Sequence, residues 1–448
     1  MLIQFIKNEN KIGSILERTA DYTIISLHNE PLTKLNIVYL MHLIFKEDNY
    51  TNYSDIYIDL LDVSLELLDV QIKAFFHFNN KPLSYKKIKT VKPNFYLNKD
   101  KLNKDVLDLI DKNSILMSFF NESKSIIDTP SDIMYPQKLI EYVIEFSEKN
   151  NLTVLETYDE IRLKKDGLNG ILTVGKGSIH QPRMIILEYD GTDDSVKEPV
   201  VLVGKGVTYD SGGYSLKRDS KNMKQDKTGA IIILALLGAI SKLKLKCKVI
   251  AILPFAENAI SSISYKPDDV IISHDKLSVE VYNTDAEGRL LLMDGLSLAY
   301  KEYNPKIVID IATLTGVSIF CNKMGAIFSN NIELAWEIQK MGEKHGDPFW
   351  VLPILDSFMK DTQDNDDLTD IKNEGFSCHS GTVMAAAFLK NFVDDSIPWI
   401  HMDIGDSKSL YEHFDSSNRS KINSFLTIFY FLETFSKCNL LEVTSKCS

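Results

Sequence analysis

The sequence reads Asn283-Thr284-Asp285-Ala286-Glu287-Gly288-Arg289-Leu290 at the end of an apolar run that is typical of a strand. Asp285 and Glu287 are two residues apart, so in an extended segment both side chains point to the same face. Two hard oxygen ligands on one face can converge on a divalent cation. The alternative is a solvated acidic turn at the N-terminus of the helix that Leu290-Leu291-Leu292-Met293 predicts.

A second group of charged residues lies well upstream of this stretch. The chain runs from Val201-Leu202-Val203, a strand of the buried type, into a glycine-rich loop with Lys205 and Asp210, followed by Lys217 and Asp226. With the two carboxylates downstream, Asp210 and Asp226 exceed what one ion needs. They suit two ions about 3.5–4 Å apart that share bridging ligands. The sequence therefore predicts a cocatalytic metal pair.

Strand-like and helix-like segments alternate through most of the chain, which predicts an α/β fold. From about residue 167 the predicted strands cover 170–175, 183–189, 200–205, 248–254, 279–283 and 307–312, and the predicted helices cover 229–242 and 288–300. This alternation predicts a three-layer αβα domain with a mostly parallel central sheet covered by helices on both faces. Sites in such sheets form beyond the carboxyl ends of strands, so residues distant in sequence can meet there.

A smaller α/β domain is expected to precede this one. It has predicted strands over 22–27 and 56–61 and predicted helices over 34–45 and 65–78, with neither a GxGxxG motif nor a P-loop to support nucleotide binding. The predicted division is an N-terminal domain over 1–105, a linker helix over 106–124 and the catalytic domain over 125–448. Further helices are predicted over 137–149 and 425–432.

Composition narrows the class of protein. The net charge of −12 disfavours general attraction to nucleic acid or to an anionic membrane. Five scattered cysteines without a CxxC pair fit a reducing cytoplasm. The N-terminus becomes polar too soon for a signal peptide, and the apolar run over 425–432 is shorter than the roughly 20 residues of a membrane span. We therefore expect a cytoplasmic protein without a nucleic-acid or membrane partner.

Four motifs together resemble those of the leucyl (cytosol) aminopeptidase family, the M17 dizinc peptidases. They are Val-Gly-Lys-Gly-Val-Thr-Tyr-Asp-Ser-Gly-Gly (203–213), Asn-Met-Lys-Gln-Asp-Lys-Thr-Gly-Ala (222–230), Asn-Thr-Asp-Ala-Glu-Gly-Arg-Leu (283–290) and Asp-Ile-Ala-Thr-Leu-Thr-Gly (310–316). Their order and spacing match over roughly residues 125–405, which is far more specific than one short pattern. The resemblance implies a metal-dependent aminopeptidase that releases N-terminal amino acids from short peptides by attack of a metal-bridging hydroxide.

The resemblance also implies the metal ligands. Lys205, Asp210, Asp226 and Glu287 would ligate the tighter ion, and Asp210, Asp285 and Glu287 the exchangeable one. A lysine ligand must be neutral, and burial and two dications both depress the pKa of an amine. The alternative for Lys205 is an ordinary surface lysine. The two divalent ions are left open among Zn²⁺, Mn²⁺, Co²⁺ and Mg²⁺.

Two cationic residues resemble the family's catalytic residues. Lys217 would donate to the scissile carbonyl, and Arg289 would hold a bicarbonate ion that serves as general base. A cation at a helix N-terminus is unfavourable unless an anion is bound, which argues against a surface role for Arg289. The other cations after Asp210 are interpreted mostly as solvated loop charges; they are Arg218, Lys221, Lys224 and Lys227.

Met223 and the Thr313-Leu314-Thr315-Gly316 loop resemble the pocket for the first side chain and the backbone that aligns the peptide, although core packing is a commoner role for methionine. The chain departs from the family near this pocket. Lys227-Thr228 stand where Met followed by Gly or Ser is usual, Gln225 lies beside the pocket, and Ser380-Gly381-Thr382 replaces a more glycine-rich run. These changes bear on side-chain preference. The histidines His274, His379 and His401 are interpreted as structural or surface residues.

The resemblance implies a homohexamer, a dimer of trimers whose active sites face an interior cavity. Two other functions are weighed against the peptidase: a scaffold or DNA-binding role on the same fold, and a hydrolase narrowly specific for a dipeptide such as Cys-Gly. All metal-site positions are present and the chain is acidic, which favours the peptidase over the scaffold.

Overall fold

The structure is a computed structural model, and it describes residues 1–8, 12, 15–18, 21–28, 31–46, 53–86, 93–100, 102–192, 198–316, 323–363, 368–375, 381–414 and 419–437. The chain forms two compact units, residues 1–121 with 410–417 and residues 122–409 with 418–448. The predicted boundaries at 105 and 124 stay a prediction.

The first unit combines a sheet with helices, and it includes the first part of a long helix that continues into the second unit. Its elements before that helix are β1 (Leu2–Asn8), β2 (Ile15–Arg18), β3 (Tyr22–His28), α1 (Lys34–Lys46), β4 (Asp55–Ile58), α2 (Leu65–Phe78) and β5 (Asn94–Leu97). The strand order is β2-β3-β1-β4-β5, and only the β2–β3 pair among these is antiparallel. The buried positions Ile37, Met41 and Ile44 follow helical spacing, so α1 has one face for the core.

A long helix, α3 (Lys104–Asp128), precedes the elements of the second unit. The described strands of that unit are β6 (Thr153–Tyr158), β7 (Arg183–Asp190), β8 (Val200–Gly204), β9 (Gly206–Asp210), β10 (Lys248–Asn258), β11 (Val270–Ile272), β12 (Ser278–Glu280), β13 (Ile307–Ala312), β14 (Gly325–Ser329), β15 (Phe349–Val351), β16 (Ile371–Lys372) and β17 (Trp399–Asp403). Its described helices are α4 (Pro136–Lys149), α5 (Glu160–Lys165), α6 (Asn169–Gly175), α7 (Thr228–Lys242), α8 (Gly288–Glu302), α9 (Ile332–His345), α10 (Asp356–Asp361), α11 (Gly381–Lys390) and α12 (Phe425–Lys437).

The predicted fold class is confirmed by the central sheet. Its strand order is β15-β14-β17-β13-β8-β10-β7-β6, with β9 paired to β10. The middle of the sheet is parallel, whereas β7 runs antiparallel to β10 and to β6, and β14 antiparallel to β17. Every residue of β8 and β13 is buried, as expected for strands with helices on both faces.

One predicted strand is wrong, and another is shorter than predicted. Residues 170–175 form α6, because Leu168, Ile171 and Val174 are all buried at a spacing of three and so lie on one helical face. The predicted strand over 279–283 is limited to β12, which belongs to a separate sheet of order β11-β12-β16. The 283–287 segment therefore does not follow a strand of the central sheet.

The first turn of helix α7 packs against the carboxyl ends of β8 and β13. Gly229 determines how closely the helix approaches these two strands. A Cβ atom on Gly229 would lie 2.0 Å from the carbonyl oxygen of Ile311 and 3.1 Å from the backbone nitrogen of Lys205. The backbone of Lys205 donates to the Ile311 carbonyl, and its own carbonyl accepts from Ala230. The first turn of α7 is thus locked against the two strand ends that carry Lys205 and Thr313.

No helix in the described part of the chain combines the length and apolar character that crossing a membrane requires. Cys247 is buried with a free thiol, and burial raises its pKa to about 12. The other cysteines lie outside the described residues; they are Cys321, Cys378, Cys438 and Cys447.

We predict that Gly229→Ala lowers stability, because the methyl group must displace the Ile311 carbonyl. Overpacking of this kind costs about 1–3 kcal/mol, which exceeds the gain in helix propensity of up to about 1 kcal/mol. Gly381→Ala is the matched control, since no atom of the described residues lies within 4 Å of its Cβ position. Urea midpoints measure both variants. Equal midpoints for Gly229→Ala and the control would contradict this packing.

Candidate metal centre

Lys205 is the centre of one half of the site. Its Nζ lies 2.8 Å from Asp226 Oδ2 and 2.9 Å from Glu287 Oε1, and it donates to the Thr313 carbonyl at 2.8 Å. The side chain passes over Gly288, where a Cβ atom would lie 2.5 Å from Lys205 Cε. The lysine is only 2% exposed, so it is no surface residue.

Lys217 occupies the other half. Its Nζ lies 2.7 Å from Asp210 Oδ2 and 2.5 Å from Asp285 Oδ1. One oxygen atom from each of Asp210, Asp285 and Glu287 lies within 4.8 Å of the others, a spacing at which a metal ion could be held. The structure thus brings together the two carboxylates of the 283–290 stretch and those from the upstream loop.

The pocket holds more negative than positive charge. Asp210, Asp226, Asp285 and Glu287 face two ammonium groups, which leaves a formal charge of −2. Burial raises the pKa of all four carboxyl groups in spite of the lysines. A bound cation would relieve this excess, since buried charges are stable only when they are paired or coordinate metals.

The pKa of Lys205 follows from the same balance. Burial alone would lower it, but the charges of Asp226, Glu287 and Asp210 outweigh burial and raise it. The depressed pKa predicted for Lys205 applies to the site with two divalent metal ions bound. Among carboxylates alone, the ammonium form of Lys205 is favoured, so a metal ion that takes this nitrogen must displace its proton.

The residues fit a pair of divalent ions. Glu287 Oε2 is buried and has no hydrogen-bond partner among the described residues, while its other oxygen atom is taken by Lys205. Carboxylate oxygens suit hard divalent cations, and a neutral amine, like imidazole, offers a nitrogen lone pair to the metal. All the residues that the sequence predicts as ligands therefore lie in this cluster. Their individual roles stay predictions.

The 283–287 segment brings its carboxylates together as a turn, not as the extended segment that we predicted. Asn283 Oδ1 accepts the backbone N–H of Asp285 at 2.8 Å, and Glu287 already has helical dihedral angles ahead of α8. Thr284 ties this turn to the upstream loop, because its Oγ1 donates to the Gly212 carbonyl at 2.7 Å and accepts from the Ser215 backbone at 2.8 Å.

Two asparagines orient the site and were missed by sequence reasoning. Asn258 Nδ2 donates to Asp210 Oδ1 at 2.8 Å and to the Thr284 carbonyl at 3.0 Å. Asn373 is fully buried; its Oδ1 accepts from the backbone of Tyr282 at 2.8 Å and of Asn283 at 3.1 Å. The only signal for them in the sequence is a polar residue at a strand end. Asn258 is the last residue of β10, and Asn373 directly follows β16.

Arg289 lies buried in the first turn of α8. Its Nη1 donates to the Asn373 carbonyl at 2.5 Å, whereas its Nε is buried without a hydrogen-bond partner among the described residues. Burial lowers the pKa of Arg289, opposed by the charges of Glu374, Glu287 and Asp403. An unsatisfied guanidinium N–H at a helix N-terminus is a suitable place for a small anion.

The 313–316 loop is held from both sides. Thr313 Oγ1 donates to Asp226 Oδ1 at 2.8 Å, and Asp403 Oδ1 accepts from the backbone of Leu314 at 3.2 Å and of Thr315 at 3.3 Å. Thr315 Oγ1 also lies 2.6 Å from Thr382 Oγ1. The loop thus extends from the Asp226 carboxylate to the end of β17, with Gly316 as its last described residue.

The interpretation of the basic loop as solvated is wrong for two lysines. Lys227 is fully buried, and burial lowers its pKa to about 7. Lys224 donates to the Asp128 carbonyl at 2.7 Å. Arg218 and Lys221 are exposed, as predicted, and Met223 is partly exposed at the start of the Met223–Lys227 3₁₀ turn.

Two of the three histidines have structural contacts. His401 is fully buried, with Nδ1 2.6 Å from Asp310 Oδ1, and His274 Nδ1 lies 2.7 Å from Ser297 Oγ. His379 and Ser380 lie outside the described residues.

Residues 121–425 match the model of the cytosol aminopeptidase family, catalytic domain. The chain belongs to this family, as its motifs suggested. The match covers both the central sheet and the carboxylate cluster described above.

Curated relatives agree with this assignment. Proteins named "Probable cytosol aminopeptidase" are 37% identical over 287 residues in Methylorubrum extorquens, 43% over 246 residues in Cenarchaeum symbiosum and 36% over 299 residues in Clostridium perfringens. These alignments cover 63%, 54% and 66% of this chain but only 56%, 50% and 60% of the relatives. The chain therefore spans little more than half the length of these relatives.

A solved structure described as the bottromycin maturation enzyme BotP in complex with Mn has a similar fold. It superposes with a TM-score of 0.84 at 23% identity and covers 97% of this chain and 99% of that one. A second structure of BotP agrees equally well, with a TM-score of 0.84. At this identity the likeness defines the fold alone.

Proposed function

We propose that this chain is a metal-dependent aminopeptidase that releases N-terminal residues from short peptides. The observation that carries the proposal is the largely buried cluster of four carboxylates and two lysines, with its excess negative charge and a Glu287 Oε2 that has no hydrogen-bond partner among the described residues. Membership of the cytosol aminopeptidase family supports it.

The residues that would hold two divalent ions are Lys205, Asp210, Asp226, Asp285 and Glu287. When bound, the ions would supply Lewis acidity and an activated water molecule near neutral pH. Zinc, manganese, cobalt and magnesium all suit the oxygen donors, and manganese is the first probe because the similar BotP structure is described as a complex with Mn. Family resemblance supports the division of ligands between a tighter and an exchangeable ion.

Lys217 is proposed to stabilise the oxyanion of the scissile peptide. Its ammonium group is held between Asp210 and Asp285 and is partly exposed, so it can reach a substrate carbonyl beside the carboxylates. The attraction of Asp210 and Glu287 outweighs burial and raises its pKa, which keeps it charged at neutral pH. A fixed charge aimed at a developing oxyanion needs little reorganisation during the reaction.

Arg289 is proposed to hold bicarbonate as the general base. The support is its position in the first turn of α8, where an anion is favoured, and its buried Nε, which has no hydrogen-bond partner in the part of the chain that the structure describes. His401 and His274 are engaged with Asp310 and Ser297, which leaves neither of them free to act as the base.

The substrate would lie along the 313–316 loop, with Met223 beside its first side chain. Support comes from the family resemblance and from the contact of Thr313 with Asp226, which ties this loop to the ligand set. Gln225 and Lys227 alter the surroundings of Met223, so the preferred first residue is open to measurement. Family resemblance also supports a homohexamer, and the names of the relatives support a cytoplasmic location.

Glu287→Gln should weaken binding of Mn²⁺ and abolish peptidase activity while the fold is kept. The change removes one charge from a proposed metal ligand at nearly constant shape. The loss of affinity should exceed the roughly 10–100-fold that changes to outer-shell residues cause. Equilibrium dialysis measures the ion and a fluorogenic aminoacyl amide the activity.

Glu280→Gln is the matched control, because Glu280 is also a buried glutamate that pairs with a lysine, Lys372 at 3.2 Å, but lies outside the cluster. It should bind Mn²⁺ like the unaltered protein. Unchanged affinity and turnover in Glu287→Gln would sink the dinuclear proposal.

Lys217→Met should lower kcat by roughly 10²–10³, the scale for losing one oxyanion donor. Affinity for Mn²⁺ should not fall, since removal of the ammonium group leaves Asp210 and Asp285 more able to attract a cation. Arg218→Met, which alters an exposed neighbour, should keep full activity. An unaltered kcat in Lys217→Met would limit Lys217 to neutralising the two carboxylates.

A further inference from the structure

Lys227 is a buried lysine whose partners are backbone carbonyls. Its Nζ donates to the carbonyl oxygens of Lys224 at 2.5 Å, Ile127 at 3.1 Å and Thr129 at 3.3 Å. The residue is fully buried, and these three carbonyls provide one protein acceptor for each N–H of its ammonium group. A buried cation is costly unless it is hydrogen-bonded in this way, which means that the lysine fits one arrangement of its surroundings.

Two of these acceptors lie at the end of α3. The last carbonyls of a helix have no partner within the helix, and the negative end of the helix dipole favours a cation there. Lys224 donates to the Asp128 carbonyl at 2.7 Å, between the two acceptors of Lys227. Three consecutive carbonyls, from Ile127 to Thr129, are thus bound by two lysines of a single 3₁₀ turn.

The 127–129 segment is itself anchored, which makes it a firm support. Asp128 Oδ1 accepts the backbone N–H of Ser420 at 2.8 Å, and Asp128 Oδ2 lies 3.7 Å from Arg419 Nη1. Thr129 Oγ1 donates to the Ser125 carbonyl at 2.8 Å. The end of α3 is therefore fixed to its own last turn and to the chain just before α12.

The 3₁₀ turn carries Asp226 between its two anchored lysines. The Asp226 carboxylate is oriented by Thr313 Oγ1 on one oxygen and by Lys205 Nζ on the other. These contacts fix the carboxylate but not the backbone behind it. The tethers of Lys224 and Lys227 fix that backbone on both sides.

We propose that Lys227, assisted by Lys224, is a positioning residue that holds the Met223–Lys227 turn against the carbonyls of 127–129, and thereby sets the place of the Asp226 carboxylate. This rests on the proposed role of Asp226 as a metal ligand. Outer-shell groups of this kind tune metal affinity through the orientation of the ligand. The turn also begins with Met223, so the same tethers fix the proposed pocket for the first side chain.

The test compares Lys227→Met with Lys221→Met. Methionine is unbranched and close to lysine in length but has no N–H to donate, whereas Lys221 is an exposed lysine of the same loop. Amide hydrogen exchange of the metal-free proteins should be faster over residues 222–230 in Lys227→Met only. The dissociation constant for Mn²⁺ should rise about 10–100-fold in Lys227→Met and stay unchanged in the control.

Val143→Ala distinguishes a general loss of stability from the loss of the Lys227 tether. This variant opens a cavity beneath the buried face of α4. This variant should keep the Mn²⁺ affinity and the slow exchange of the 222–230 segment. If Val143→Ala weakens Mn²⁺ binding as much as Lys227→Met does, the effect is general and the positioning role is refuted.

Two outcomes bear on the proposal in other ways. If Lys227→Met does not fold, Lys224→Met gives the test, with a smaller change in exchange and in Mn²⁺ affinity expected in the same direction, and no change in either refuting the tether. If the unaltered protein binds none of Mn²⁺, Zn²⁺, Co²⁺ and Mg²⁺, the proposed function fails. The exchange measurement on the metal-free protein then still decides whether Lys227 holds the turn.

Discussion

The repulsion among four clustered carboxylates, three of them buried and Asp285 partly exposed, is the constraint on which the site depends. Asp210, Asp226 and the Asp285–Glu287 pair come from three segments of the chain, and two lysines neutralise only half of the formal charge of these carboxylates. Such a cluster is stable only if the backbone behind each carboxylate is fixed and if cations can enter. The surrounding structure supplies the first condition, and the proposed metal ions supply the second.

The fold meets the first condition by concentrating strand ends at one edge of the central sheet. Gly229 locks the start of α7 against β8 and β13, and Gly288 leaves room for the Lys205 side chain at the start of α8. Asn258 and Asn373 then connect the loops sideways with side-chain to backbone hydrogen bonds. Each ligand is thus held by an element that is itself packed, which favours a precise site.

The central sheet and the ligand set could be predicted because their signals are local. β8 and β13 are apolar runs, and Asp285 and Glu287 lie within a motif. Residues 170–175 include the β-branched Ile171, Thr173 and Val174, which favour a strand, but burial of one helical face outweighs that preference. Lys227 could not be assigned, since its burial depends on the carbonyls of 127–129, which are distant in sequence.

The most direct test is hydrolysis of leucyl and other aminoacyl fluorogenic amides by the intact protein, each beside its N-acetylated form. Activity should be lost after treatment with a chelator, return when Mn²⁺ or Zn²⁺ is added back, and be absent on every acetylated substrate. A free α-amino group would then be required as well as the ions. Cleavage that survives complete removal of metal, or equal cleavage of the acetylated substrates, would contradict a metal-dependent aminopeptidase.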